Sequence, residues 1–143
     1  MQVARSVLAA IRRHVQTAYP IEGCGLLVGV RRPDGEVVVS QYLPVKNGCI
    51  AGRTARNRYV ISPDDFRSAE HDATASGLQI VGVYHSHPDV AARPSSYDQE
   101  HAWPWYRYLI VSVIGGAVRD ERVWELSDNR RGFVEHVLQI GEQ

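Results

Sequence analysis

The sequence predicts one α/β domain, a mixed or mostly antiparallel sheet with helices packed on it. Three observations carry that reading. Apolar, strand-forming runs recur at Gly25 to Val30, Gln79 to His87 and Tyr108 to Ile114. Two stretches between and before them carry helical signals, one by apolar spacing and one by its caps. The 143 residues contain no internal repeat, low-complexity tract or linker, so residues 1–143 read as a single domain.

Taken in order, Val3, Val7, Leu8, Ile11 and Val15 recur at helical spacing and predict an amphipathic helix ending near Ala18, before Pro20. Gly25 to Val30 and Glu36 to Leu43 flank Pro33-Asp34-Gly35, a turn signal, and together predict a hairpin. Lys46 to Asn57 lacks periodicity and reads as a loop. Arg58 to Ile61 reads as a short strand. Ser62 is a good N-cap, Pro63 suits the first helical position, and Asp64 and Asp65 suit the positive helix end. That helix should stop at Gly77.

Gln79 to His87 carries apolar residues on both faces, as a central strand does. Pro88 to Pro94 reads as a loop, Ser95 to about Ala102 as a short helix closed by Pro104, and Tyr108 to Ile114 as a strand. Gly115-Gly116 turns the chain. Arg122 to Leu126 and Phe133 to Ile140 read as the last two strands. The dense aromatics Trp103, Trp105, Tyr106 and Tyr108 read as a packed cluster.

Sixteen basic residues, fifteen of them arginine, balance sixteen acidic ones. A net charge of zero gives no footprint for nucleic acid or an anionic membrane. The longest uncharged apolar run, Leu109 to Val118, includes two glycines and is too short to span a bilayer. Arg5, Arg12 and Arg13 interrupt any signal-peptide pattern. Cys24 and Cys49 form no CxxC and no disulfide framework; they read as idle thiols of a cytoplasmic protein.

The chemistry concentrates at His85-Ser86-His87. Strand side chains alternate, so the two imidazoles share a face, with Cα atoms about 6.5–7 Å apart. From there both can reach one zinc at ~2.0–2.1 Å. Two surface histidines are the plainer alternative for an HxH by itself. Asp98 follows within reach, and two histidines with one carboxylate make the three-ligand pattern of a catalytic zinc, whose fourth position holds water. Ser95 lies three residues earlier, on the same face of a helical first turn. It suits either an oxyanion donor or a simple helix cap. Glu22 sits between Ile21 and Gly23 at a strand start, where a solvated turn residue is the plain alternative.

These residues, taken together, resemble the JAMM (MPN+) metalloprotease signature. That signature is a glutamate, then H-[S/T]-H-P, then S-x-x-D with seven residues between the second histidine and the serine. Glu22, His85-Ser86-His87-Pro88, Ser95 and Asp98 fit it, with residues 88–94 as the seven. The flanking stretches Tyr19 to Gly29 and Val81 to Tyr84 are also similar. The resemblance implies a curved sheet between helices, close to the cytidine-deaminase-like architecture. It implies one Zn²⁺ per chain held by His85, His87 and Asp98, Glu22 as general acid/base, and Ser95 as oxyanion stabiliser. A deaminase proper is disfavoured, because its H-x-E and P-C-x-x-C pattern is absent.

The compact chain looks like the prokaryotic branch of that family. The resemblance then implies a substrate class: a small ubiquitin-like or sulfur-carrier protein, cut at the amide after its C-terminal Gly-Gly, with processing or release of an amino acid such as cysteine. The alternative is a non-catalytic module that only binds such tails. A homodimer is allowed. Arg53, Arg56 and Arg58, or Arg93 between the signature residues, are candidates to meet an acidic patch or a free carboxylate. His101 reads as a surface residue or a more distant support of the site.

Overall fold

A computed structural model describes residues 1–48 and 58–142. In chain order the elements are β1 (Gln2–Val3), α1 (Arg5–Ala18), β2 (Cys24–Arg31), β3 (Val37–Val45), α2 (Pro63–Ala75), β4 (Gln79–Pro88), α3 (Ser96–His101), β5 (Arg107–Ile114), β6 (Ala117–Leu126), β7 (Phe133–His136) and β8 (Gln139–Ile140). The strands form one eight-stranded sheet in the order β7-β6-β5-β4-β2-β3-β1-β8. It is mixed: β4 runs parallel to β5, and β1 runs parallel to both β3 and β8, while the remaining neighbours are antiparallel.

The sheet is strongly curled. β7 lies at one edge and β8 at the other, yet only Val137 and Leu138 separate them in the chain. So short a link spans roughly 10 Å at most. α1 packs against β3, β5 and β6, on both sides of the sheet's centre, as a helix lying in a curled sheet must. It buries Val7, Leu8, Ile11 and Val15 against Leu27, Val39, Tyr84, Leu109 and Val111. The opposite face forms a second core of Leu26, Ala69, Ile80, Val83, Tyr108 and Leu126, beneath α2. Ser62 caps α2 by accepting from Asp65 N at 3.1 Å.

β4 is buried from Ile80 to Pro88, between β2 and β5. Two glycines permit that packing. A Cβ at Gly82 would collide with the Arg107 carbonyl across the parallel pair, and one at Gly25 would strike the Tyr84 ring and the Leu43 carbonyl. No described helix is long and apolar enough to cross a membrane.

Several boundaries differ from the sequence reading. Val3 is not helical; it pairs with Val39 and Ile140 as part of β1, because Ala4 begins the turn into α1. The expected last strand divides into β7 and β8, which join opposite edges of the sheet. β6 starts at Ala117, five residues earlier than expected, and completes a tight hairpin at Gly115-Gly116. Arg58 to Ile61 is extended but is not a strand. There the Asn47 side chain donates to the Arg58 carbonyl at 3.0 Å and accepts from Val60 N at 3.1 Å, taking the place of a neighbouring strand. The expected loop from Lys46 to Asn57 lies largely outside the described residues. Trp103 and Trp105 are 53% and 57% exposed and stack on each other at 5.3 Å, so the expected packed cluster holds for Tyr108 but not for the tryptophans.

Candidate active site

The site forms where β2 and β4 run side by side. Cys24 pairs with His85, and the alignment continues past the end of β2. Ser86 N donates to the Gly23 carbonyl at 3.0 Å, and the Ser86 hydroxyl accepts from Gly23 N at 2.9 Å. Ser86 therefore points away from the histidines and clamps the segment carrying Glu22. Strand alternation leaves His85 and His87 on the other face, their Nε2 atoms 3.2 Å apart. His87 Nδ1 lies 2.9 Å from the Ala91 carbonyl, a contact that fixes the ring with Nε2 inward. Tyr59 stacks on His85 at 4.4 Å between centroids.

Asp98 arrives on the first turn of α3. Ser95 is the N-cap, and a full capping box forms: the Ser95 hydroxyl accepts from Asp98 N at 3.1 Å, and Asp98 Oδ2 accepts from Ser95 N at 2.8 Å. The same carboxylate faces both imidazoles, with Oδ1 3.2 Å from His85 Nε2 and Oδ2 3.2 Å from His87 Nε2. The Ser95 hydroxyl hydrogen has no acceptor among the described residues, so it remains available to a substrate.

Glu22 is 2% exposed and approaches the same pair; its carboxylate and the two ring nitrogens all lie within 4.8 Å of one another, a group able to hold a metal ion. Its Oε2 has no hydrogen-bond partner, and neither does His85 Nδ1. The two carboxyl groups are driven apart electrostatically. Burial, and then the nearby Asp98, push Glu22 up to about 9. Burial also opposes ionisation of Asp98, but the His85 ring beside it, hydrogen bonds from both imidazoles and the Ser95 amide hold it well below the ordinary carboxylate range. Burial lowers His85, against the pull of Asp98.

The donor set fits a tetrahedral metal. Ligands bonded at ~2.0–2.1 Å around a tetrahedron lie about 3.3 Å from one another; the two imidazole Nε2 atoms lie 3.2 Å apart, and the Asp98 carboxylate straddles them, with Oδ1 3.2 Å from His85 and Oδ2 3.2 Å from His87. An unpartnered, buried Glu22 oxygen completes a polar chamber that hydrogen bonds within the protein leave unsatisfied.

Comparison with known proteins identifies the family and the fold. Residues 4–127 match the family described as prokaryotic homologs of the JAB domain. The chain belongs to that family. It is 36% identical over 111 residues to the desampylase of Haloferax volcanii, covering 77% of this chain and 76% of the relative. It is 30% identical over 115 residues to a probable TtuB-protein conjugate cleaving protease of Thermus thermophilus, covering 80% and 72%. The solved structure of a JAB1/MPN domain protein from Archaeoglobus fulgidus superposes with a TM-score of 0.63 at 21% identity, covering 99% of this chain and all of that one, a likeness of fold. This family member is accordingly a JAMM-type peptidase, with a curled JAB1/MPN sheet and a group of side chains able to hold a metal.

The structure gathers Glu22, His85, His87, Ser95 and Asp98 in one place. It does not bring His101 there: that ring is exposed, stacks on Tyr97 at 4.1 Å and contacts the Tyr97 carbonyl. Arg53, Arg56 and Cys49 lie outside the described residues, and Arg58 rides over the Tyr97 ring at 5.4 Å. Cys24 is buried and its thiol is pushed up to about 12 by burial, which makes it inert. Sequence reasoning missed Tyr59 and Asn47. Asn47 donates to the Glu22 carbonyl at 3.1 Å and so ties the Glu22 segment to the Tyr59 segment. No local pattern marks either residue, since both act across the chain. Ser86 could have been found, because its neighbours on the strand face the other way.

Proposed function

We propose that residues 1–143 act as one zinc-dependent peptidase domain that hydrolyses the amide bond after the Gly-Gly tail of a small ubiquitin-like or sulfur-carrier protein. In this reading His85 Nε2, His87 Nε2 and Asp98 hold one zinc, Glu22 is the general acid/base, Ser95 stabilises the oxyanion, and the protein works in the cytoplasm. The names of the Haloferax and Thermus relatives support the substrate class, and the Asp98 carboxylate facing both imidazoles at 3.2 Å supports the metal.

The observation that carries the assignment is the opposed character of the two carboxyl groups. Paired acids whose surroundings push their affinities for protons apart take different roles. Asp98, anionic and oriented by its capping box, suits a ligand. Glu22, buried, unpartnered and proton-retaining, suits proton transfer. A zinc bound there would supply a nucleophilic water near neutral pH and polarise the scissile carbonyl. The positive charge of that ion would favour the Glu22 anion, and the anion takes the proton from the attacking water as the water oxygen joins the carbonyl carbon. It then returns that proton to the nitrogen as the C–N bond breaks. The free Ser95 hydroxyl donates to the carbonyl oxygen as it gains negative charge.

The test is Glu22→Gln, incubated with carriers extended beyond Gly-Gly and followed by intact mass. Hydrolysis should fall at least ~100-fold while about one zinc per chain is retained. Undiminished cleavage by the variant, or by zinc-free folded protein, would sink the assignment.

A further inference from the structure

The loop from Pro88 to Pro94 is fastened at nearly every residue. Asp89 N donates to the Val113 carbonyl, and the Asp89 carboxylate accepts from Gly115 N at 2.8 Å and from the Tyr19 hydroxyl at 2.7 Å. The Val90 carbonyl accepts from Ser112 Oγ at 2.6 Å, the Ala91 carbonyl faces His87 Nδ1 at 2.9 Å, and the Ala92 carbonyl accepts from Trp124 Nε1 at 3.0 Å. A loop held this way presents its remaining side chains in fixed positions. Arg93 is the exception to the bonding: its guanidinium has no hydrogen-bond or ion-pair partner among the described residues.

Arg93 lines a cavity of about 210 Å³ together with Glu22, His87, Ser95, Pro88 and Val90. The walls are otherwise mainly apolar, and the volume is below the ~300–1,000 Å³ of ordinary small-molecule sites. It suits one small residue. The chemistry says which side of the substrate enters. The departing nitrogen receives its proton from Glu22, so the leaving group must lie against Glu22, and Glu22 lines this cavity. The larger aromatic cavity of about 340 Å³ beyond Tyr59 and Tyr97 is not lined by Glu22.

We propose that Arg93 is a specificity-determining residue that binds the free α-carboxylate of the leaving residue, so that the enzyme preferentially releases a single C-terminal amino acid attached after the carrier's tail. The inference rests on the peptidase reading above. A leaving amino acid departs with its amine toward Glu22 and its carboxylate two bonds away. A lysine ε-amine of a conjugated protein carries no carboxylate at that distance. The guanidinium fork matches a carboxylate in geometry as well as charge.

The experiment uses the zinc-loaded protein and one carrier in three forms: extended by one residue as the free acid, the same extension as a C-terminal amide, and joined to a lysine ε-amine. The free acid should be cleaved about 10–100-fold faster than the amide, the range a charged hydrogen bond supports. Arg93→Ala should bring the two rates together, and Arg93→Lys should restore part of the gap. Calorimetric titration of Glu22→Gln protein should show the same preference for acid over amide in binding, without turnover. Equal wild-type rates on acid and amide, or an Arg93→Ala protein that keeps the gap, would overturn the role of Arg93 while leaving the peptidase intact. Faster cleavage of the ε-linked form would do the same. Failure to cleave any of the three would instead overturn the peptidase reading itself.

Discussion

Asp98 reaches the imidazole pair from a helix whose first turn it also caps, whereas Glu22 reaches it from the segment just before β2, far upstream. Around Asp98 everything is local: Ser95, His87 and Ala91 lie within twelve residues of sequence, and each bonds another. Around Glu22 everything is distant: Ser86 holds the next residue's amide, Asn47 holds its carbonyl, and its carboxylate Oε2 bonds nothing. The backbone of Glu22 is thus fixed while its functional oxygen is left free. The difference teaches how one cluster can contain two acids of opposite behaviour. Donors converge on the carboxylate whose affinity for protons is lowered and are withheld from the one whose affinity is raised.

The comparison breaks most visibly at the local side. Asp98→Ala removes the third donor and the reciprocal half of the capping box. Zinc content should fall from about one per chain toward zero, measured by elemental analysis after gel filtration, with hydrolysis falling to background. The helix should lose about 1 kcal/mol of capping stability. Full zinc occupancy in that variant would mean that Glu22, not Asp98, is the third ligand, as its place within 4.8 Å of both ring nitrogens allows geometrically.

A smaller effect sharpens the distant side. A carboxyl whose affinity for protons rises on folding favours the folded state most at low pH. The contribution of Glu22 is complete below its unfolded value of 4.5 and is lost progressively as pH rises toward about 9. Asp98 works in the opposite sense: its contribution is present above 3.8 and is lost only on acidification below the ordinary carboxylate range. Above the ordinary imidazole range, where the lowered His85 no longer acts in the opposite sense, metal-free protein should therefore become less stable as pH rises from about 7 to 9, with a slope of up to ~1.4 kcal/mol per unit. Glu22→Gln should flatten that slope, and bound zinc should flatten it too by favouring the anion. Denaturant titrations across that window in chelator check this; a slope unchanged by Glu22→Gln would remove the case for a proton-retaining Glu22.

The same division explains what the sequence made legible. His85, His87, Ser95 and Asp98 fall on one strand, one loop and one helical turn, so alternation and helical spacing sufficed to bring them to a common face. The capping residues of α2 and α3 were readable for the same reason. Glu22 stood out only as a carboxylate at a strand start, and its role came from the family resemblance, because its place depends on β2 lying beside β4. Tyr59 and Asn47 were not found. Arg58 to Ile61 had the composition of a strand but is held by the Asn47 side chain, the Tyr97 hydroxyl and one backbone bond from Gly48 N, a mixture no propensity records. β1 and β8 escaped because two-residue strands have no periodicity; each exists through the curl that brings the two ends of the chain together.

Asn47 tests whether the distant side is held together as the hydrogen bonds suggest. Its amide donates to the Glu22 and Arg58 carbonyls and accepts from Val60 N, so a single side chain links the acid's backbone to the segment that stacks Tyr59 on His85. Asn47→Ala leaves those groups to water and should cost about 1–3 kcal/mol of stability, the range for orphaned polar partners. The residues proposed to hold zinc lie outside the bonds Asn47 makes to Glu22, Arg58 and Val60, so metal content should stay near one per chain. Glu22 should lose its fixed position, and kcat should fall several-fold with KM little changed. Asn47→Asp preserves the acceptor toward Val60 but not the two donations, and should fall between the alanine variant and the wild type in stability. A variant with normal kcat but lost zinc would show that Asn47 serves the imidazoles instead, and that the two flanks of the site are not built independently.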